Sequence, residues 1–258
     1  MYKKHTNEDF KKYFGIPLDY KVDGVLSYGS WRKTEHKDIV RKIIKELGLK
    51  VEYENIGGSI VREIMVFKIN GKRFWFETGY GGAYISEIFH FGSMFGSKKN
   101  IILGTCGGLN KSAETGEIII PTYSFGNEST TRMYDLILNE NKHFSNEKLN
   151  NNLFKRSEGI TKIYRGPVMT CQAMLAERWQ DVSEWSSQGY LGVEMETSTV
   201  FAVSKHFNVP ASAILVVADN LIKKETVLHG NYKDVKENRD RMRDLTYKIA
   251  LEELISEQ

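Results

Sequence analysis

Cysteine is almost missing from this chain of 258 residues: Cys106 and Cys171 are the only two, with no CxxC or metal-type spacing. Two isolated thiols exclude a disulfide framework, and both are read as reduced. The six histidines are scattered, so no metal site is expected. A dominant charge is missing too. Lys plus Arg number 36 against 33 for Asp plus Glu, with the two signs interspersed. Without a basic patch, neither nucleic acid nor a membrane surface is indicated as a partner. Long apolar runs are also lacking: no segment reaches the roughly 20 residues of a membrane-spanning helix. The N-terminal MYKKHTNEDFKKYFG is charged throughout, unlike a signal peptide. The expected location is cytoplasmic. No repeat or second domain is visible, and residues 1–258 read as one domain in which 1–23 form an N-terminal arm with a short helical stretch.

The most informative stretch runs from Gly192 to Asn220. Val200, Val203 and Phe207 lie on one stripe of a helix starting near Glu196 and stopping before Pro210. Ala213–Ala218 is a continuous apolar run of strand length, as a parallel sheet covered on both faces requires. Asp219 stands where that run ends. Ligands of open α/β sheets bind outside the carboxyl ends of the strands, so Asp219 is either placed for chemistry or is a turn aspartate.

Earlier in the chain, residues 24–28 read as a first strand, followed by Gly29-Ser30-Trp31-Arg32-Lys33 and an amphipathic helix with Ile39, Ile43 and Leu47 on one stripe. Gly29, Arg32 and Lys33 at such a turn suit an anion, the alternative being a solvated turn. Strand-like runs occupy 49–56 and 60–69, and Asn70-Gly71 is a hairpin signal before 73–76. Gly79-Tyr80-Gly81-Gly82 leads into a helix but lacks the third glycine of a dinucleotide fingerprint. Residues 100–103 form a short strand running into Gly104-Thr105-Cys106-Gly107-Gly108, read as a loop whose amides and Thr105 hydroxyl can face a ligand, or else as a structural turn. Strands at 117–120 and 160–169, a loop at 125–132, a surface helix within 138–152, and helices at 175–185 and 233–256 complete the outline. The expected fold is α/β, a mixed central sheet covered by helices.

In chain order, Gly29, the Gly104–Gly108 run, Val193-Glu194-Met195-Glu196 opening a helix, and Asp219 closing the late strand resemble the purine nucleoside phosphorylase and uridine phosphorylase family, nucleoside phosphorylase-I, over nearly the full length. The resemblance implies cleavage of a nucleoside's N-glycosidic bond by phosphate, giving free base and (deoxy)ribose 1-phosphate. It assigns Asp219 as the acid that protonates a departing purine, and Glu196 with Met195 to the ribose. Cys106, Gly107, Met174 and Val193 fall to the base. Gly29, Arg32, Lys33, Thr105 and Arg62 fall to phosphate, with Arg62 on a strand that in relatives reaches a neighbouring subunit's site. No cofactor is implied beyond phosphate as co-substrate, and the family implies a homo-oligomer, dimer or hexamer. Two departures stand out. Ile102 occupies the place of the family's phosphate-binding arginine, and Gly29-Ser30-Trp31 replaces Gly-Asp-Pro. Ile102 leaves open a hydrolytic nucleosidase, Arg32 and Lys33 a nucleotide substrate bearing a 5′-phosphate, and loss of turnover a nucleoside-binding protein. His5 reads as a surface histidine.

Overall fold

The apolar runs become the centre of one mixed sheet. The computed structural model describes residues 2–56, 63–136, 141–226, 228 and 235–256. β1 (Gly24–Gly29) lies between β4 (Lys72–Gly79) and β5 (Asn100–Gly108), parallel to both. β10 (Ala211–Asn220) runs parallel along the other edge of β5. Strands buried in this way read as unbroken apolar runs because both their faces are covered. Outside β4, the Asn70-Gly71 turn has positive φ at both residues and folds β3 (Met65–Ile69) back antiparallel, and β2 (Glu52–Glu54) pairs with β3. β6 (Ile118–Phe125) is antiparallel to β10 and parallel to β8 (Ile163–Thr170), and β7 (Lys142–Phe144) flanks β6. β8 pairs with the short β9 (Gly192–Glu194), which returns to the end of β5 and closes a ring of β10, β6, β8, β9 and β5.

Helices cover both faces. α2 (Lys33–Glu46), α5 (Glu147–Ser157) and α8 (Lys236–Ile255) bury Ile39, Ile43, Leu153, Met242 and Leu254 against one side. α1 (Asn7–Phe14), α3 (Gly82–Met94) and α7 (Thr197–His206) bury Phe14, Ile85, Phe89, Val200 and Phe201 against the other. Close approach requires glycine at one point: a Cβ on Gly92 of α3 would come within 2.3 Å of Val25 Cγ2 on β1. Among the described residues no helix is long and apolar enough to cross a membrane.

Several boundaries differ from the sequence expectation for identifiable reasons. The arm is tied to the body, because Phe14, Ile16, Tyr20 and Val22 are buried in the core. Gly104–Gly108 is the carboxyl half of β5 rather than a loop, since β10 supplies it with a continuous partner. β6 runs through Pro121 to Phe125, and the proline coincides with an irregularity in the β6–β8 register. The expected loop at 125–132 contains the start of α4 (Ser129–Tyr134). The helix at 175–185 is split into a 3₁₀ turn (Met174–Ala176) and α6 (Trp179–Ser187). Of the stretch 138–152, the described part is β7 and the first half of α5.

Candidate active site

The carboxyl ends of β1, β4, β5 and β10 open on one side of the sheet, where the strand ends of an α/β fold accept ligands. A cavity of about 540 Å³ lies there, bounded by Gly29, Tyr80, Thr105, Cys106 and Gly107 from these strand ends and by Val193, Glu194, Met195 and Glu196 from the β9–α7 junction. Ala218, Asp219, Leu221 and Lys224 close it beyond β10, and Met174, Glu177, Arg178 and Trp179 close it from the segment after β8.

Glu194 and Glu196 are both buried, at 5% and 6% exposure. Glu194 sits under the first turn of α7, where free amides attract an anion. Its Oε2 accepts the N–H groups of Glu196 (2.7 Å) and Thr197 (2.6 Å), and its Oε1 accepts the Thr170 hydroxyl. Thr170 is held in turn, its oxygen accepting from the Ser198 amide at 3.0 Å and lying 2.7 Å from the Ser124 hydroxyl. Glu196 Oε1 accepts the Gly81 N–H at 2.7 Å. Burial, then the neighbouring Glu194 charge, push the Glu196 carboxyl up to about 8 against the opposing Gly81 bond. Burial raises Glu194 as well. Having three donors, Glu194 is the better place for the negative charge of the pair, and Glu196 keeps a proton to exchange with a ligand hydroxyl. A Cβ at position 29 would lie 2.5 Å from Glu196 Oε2, so any residue larger than glycine displaces this carboxyl.

Asp219 reaches the cavity through a β-bulge. The β10–β5 register passes from Val217 opposite Cys106 to Asp219 opposite Gly107, leaving Ala218 as the extra residue. Such a bulge re-aims the following side chain. Asp219 is 9% exposed. Glu177, half-buried on the same cavity, is raised to about 7 by burial and then by the Asp219 charge, opposed by a hydrogen bond from the Cys171 thiol. Cys106 is buried and its thiol is pushed well up by burial and by the Glu194 and Asp219 charges, which keeps it neutral.

Of the residues singled out in the sequence, Asp219, Glu196, Met195, Gly29, Thr105, Cys106, Gly107, Met174 and Val193 come together on this one cavity. Arg32 and Lys33 do not line it. Arg32 lies 3.6 Å from Glu35, and Lys33 binds Glu63 at 2.7 Å and the Tyr84 hydroxyl at 3.0 Å. The turn touches the mouth through Trp31, whose ring is 4.6 Å from that of Tyr80. Arg62 lies outside the described residues. Ile102 is buried at 1% exposure in the apolar cluster with Val25, Phe201 and Ala213.

Tyr80, Glu177, Arg178, Trp179, Glu194 and Lys224 are cavity residues to which the sequence alone assigned no role. Glu177 and Trp179 fell inside the helix expected at 175–185, to which no ligand role was given. Glu194 carried a signal in Glu-Met-Glu, two carboxylates at a helix start. The basic residues among the described lining are Arg178, bound to Asp181 at 2.7 Å, and Lys224, 5.1 Å from the Trp179 ring. Among the described residues no group of three or more His, Cys, Asp or Glu is placed to hold a metal ion.

Comparison with known proteins gives the family and the fold. Residues 35–256 match the sequence model of the Phosphorylase superfamily. Guanosine phosphorylase of Halorubrum lacusprofundi is 28% identical over 120 residues, covering 46% of this chain and 49% of that protein. The DeoD-type purine nucleoside phosphorylase of Clostridium novyi is 28% identical over 164 residues, covering 57% and 64%. The chain thus spans about half to two thirds of the length of these relatives. In three dimensions, uridine phosphorylase of Vibrio fischeri superposes with a TM-score of 0.75 over 95% of this chain and 96% of that one, at 21% identity.

Proposed function

The chain belongs to the phosphorylase superfamily, and from that premise we propose that it cleaves the N-glycosidic bond of a purine nucleoside by phosphorolysis, releasing the free base and (deoxy)ribose 1-phosphate. The observation that carries this reading is the meeting of Glu196 and Asp219, from different elements, on one cavity with Gly29 and Thr105. Glu196 exchanges hydrogen bonds with the sugar hydroxyls, and Met195 packs against the sugar. A phosphate oxygen bonds to C1′ as the C1′–N9 bond breaks and its electron pair passes to the base. Positive charge grows on the sugar in that step, and the neighbouring acidic pair favours it. Asp219 takes up the proton that the attacking phosphate gives up, through water, and passes it to N7, so that the base leaves neutral. Cys106, Gly107, Val193 and Met174 border the base. Gly29 and Thr105, which line the same cavity, border the phosphate. The same reading makes the protein a homo-oligomer acting on small molecules, with phosphate as co-substrate and no cofactor.

One observation favours hydrolysis as the second reading. Ile102 is buried among apolar side chains, while Arg32 and Lys33 are engaged with Glu35 and Glu63, so these three positions offer the nucleophile no cation. An isoleucine cannot replace a bidentate guanidinium toward phosphate. Arg32 and Lys33, so engaged, also lend no support to a 5′-phosphate substrate. Base release from a nucleoside panel in matched phosphate-free and phosphate-containing buffers separates the readings. Ribose 1-phosphate formed only with phosphate is the expected result. Free ribose at an unchanged rate without phosphate makes the enzyme a nucleosidase, and silence across the panel favours a binding protein.

A further inference from the structure

We infer that Gln172 is a positioning residue for the sugar-binding pair: its side-chain amide ties the Gly81-Gly82 turn to the carbonyl of Met195, and so holds the Gly81 N–H on the Glu196 carboxyl. This rests on the reading above in which Glu196 and Met195 meet the sugar. Gln172 is not among the described residues lining the cavity, so it acts only through the groups it holds. Its Oε1 accepts the Gly82 N–H at 2.8 Å, and its Nε2 donates to the Met195 C=O at 2.9 Å. The backbone beside it is fixed, because the Cys171 N–H donates to the Glu194 C=O at 2.7 Å. One side chain thus joins three segments far apart in sequence: the β4–α3 turn, the segment after β8 and the β9–α7 junction.

The first amides of a helix have no acceptor inside it. At the start of α3 the Gly81 N–H goes to Glu196 Oε1 at 2.7 Å and the Gly82 N–H to Gln172. Two successive amides of one turn therefore hold the ribose carboxyl and its support, and neither bond can shift without the other. The seat is close: a Cβ on Gly82 would lie 2.4 Å from Thr199 Oγ1 and 2.7 Å from Gln172 Nε2. On the far side, the Met195–Glu196 peptide is bound at both its groups. Its C=O is taken by Gln172, and its N–H donates to Glu194 Oε2 at 2.7 Å. Only a side chain offering an acceptor and a donor together makes this bridge. A primary amide does so at every pH, a carboxylate offers acceptors alone, and a thioether has no donor.

The test compares the wild-type chain with Gln172→Met and Gln172→Glu. It reads kcat/KM for inosine and adenosine from mildly acid to mildly alkaline pH, and equilibrium binding of these nucleosides and of free hypoxanthine and adenine in phosphate-free buffer. Gln172→Met keeps the length of the side chain and loses both bonds. Freeing the sugar-binding pair to move by about 1 Å should lower kcat/KM about 10²-fold. Nucleoside binding should weaken with it, while the free bases, which carry no sugar, bind as to the wild type. Gln172→Glu makes both bonds only while its carboxyl is protonated. Its kcat/KM divided by the wild-type value should therefore recover toward acid pH, whereas the Gln172→Met ratio stays level. Should Gln172→Met not fold, the recovery of Gln172→Glu decides alone. Nucleosides handled equally by Gln172→Met and the wild type, equal weakening of the free bases, or no recovery of Gln172→Glu in acid overturns the inference. Selective loss of nucleoside binding without any cleavage would keep the inference and remove the proposed reaction. Cleavage unaffected by Gln172→Met would do the reverse, and a wild-type chain that binds neither nucleoside nor base removes both.

Discussion

Gly29 has only a hydrogen where any other residue would place a carbon 2.5 Å from Glu196 Oε2. The carboxyl has somewhere to go, because it borders a cavity, so Gly29→Ala should move Glu196 rather than unfold the chain. Displacing a group that grips the sugar by about 1 Å can cost about 10²-fold. Gly29→Ala is therefore expected to lower kcat/KM by about that factor with an unchanged circular dichroism spectrum; full activity would show that Glu196 does not hold substrate from this position. At this scale the sequence was legible where a residue type has few uses. Gly29, Glu196 and Asp219 were singled out and share the cavity. Arg32 and Lys33 were singled out equally and do not, since the spacing of a basic turn says nothing of where its side chains find partners.

At the level of elements, the site depends on how α7 begins. The N-terminus of α7 is organised by Glu194 and Thr170, and Thr170 belongs to β8, distant in sequence. Thr170→Val keeps the shape and deletes the hydroxyl, leaving the Ser198 amide and one Glu194 oxygen buried without their partner. Stranded polar groups cost about 1–3 kcal/mol each. The valine variant should accordingly lose about 2–4 kcal/mol in urea denaturation, and Thr170→Ser should keep most of the stability; equal losses would place the effect in packing rather than in the hydroxyl. None of this network can be read from periodicity. Residues 196–209 show a helix stripe, but the β8 threonine that completes its cap is known only once β8 and β9 pair. The bulge at Ala218 is of the same kind, because strand alternation predicts no extra residue there.

For the whole molecule, the buried carboxyls set how stability follows pH. Glu196 has an ordinary value of 4.5 and is held at about 8 in the fold, and Glu177 is held at about 7. Between the two values the folded chain binds protons that the unfolded chain has released, so stability falls as pH rises through that window. Asp181, drawn down to about 2 by Arg178, has the opposite sign, and its contribution is lost only in acid, below its ordinary 3.8. The melting temperature should therefore decline from weakly acid pH toward pH 8, and Glu196→Gln should flatten that decline, matching the wild type in acid and exceeding it at alkaline pH while losing activity. Parallel pH profiles for the two proteins would show that Glu196 is not protonated in the fold.

The sequence by itself determined the α/β class, the buried strands at 24–28, 100–103 and 213–218, and the two carboxylates at element ends, because apolar runs and glycine or acid at strand ends are local consequences of burial and backbone sterics. Tertiary structure alone decided which polar residues face the cavity. Glu177 came onto it because the expected helix at 175–185 breaks into a 3₁₀ turn and α6, while Ile102 and the basic turn were turned to other partners. The physical reason is the same throughout: a side chain's protonation and its neighbours are set by groups that come close only when the strands pair, and pairing is a property of the closed sheet rather than of any one segment.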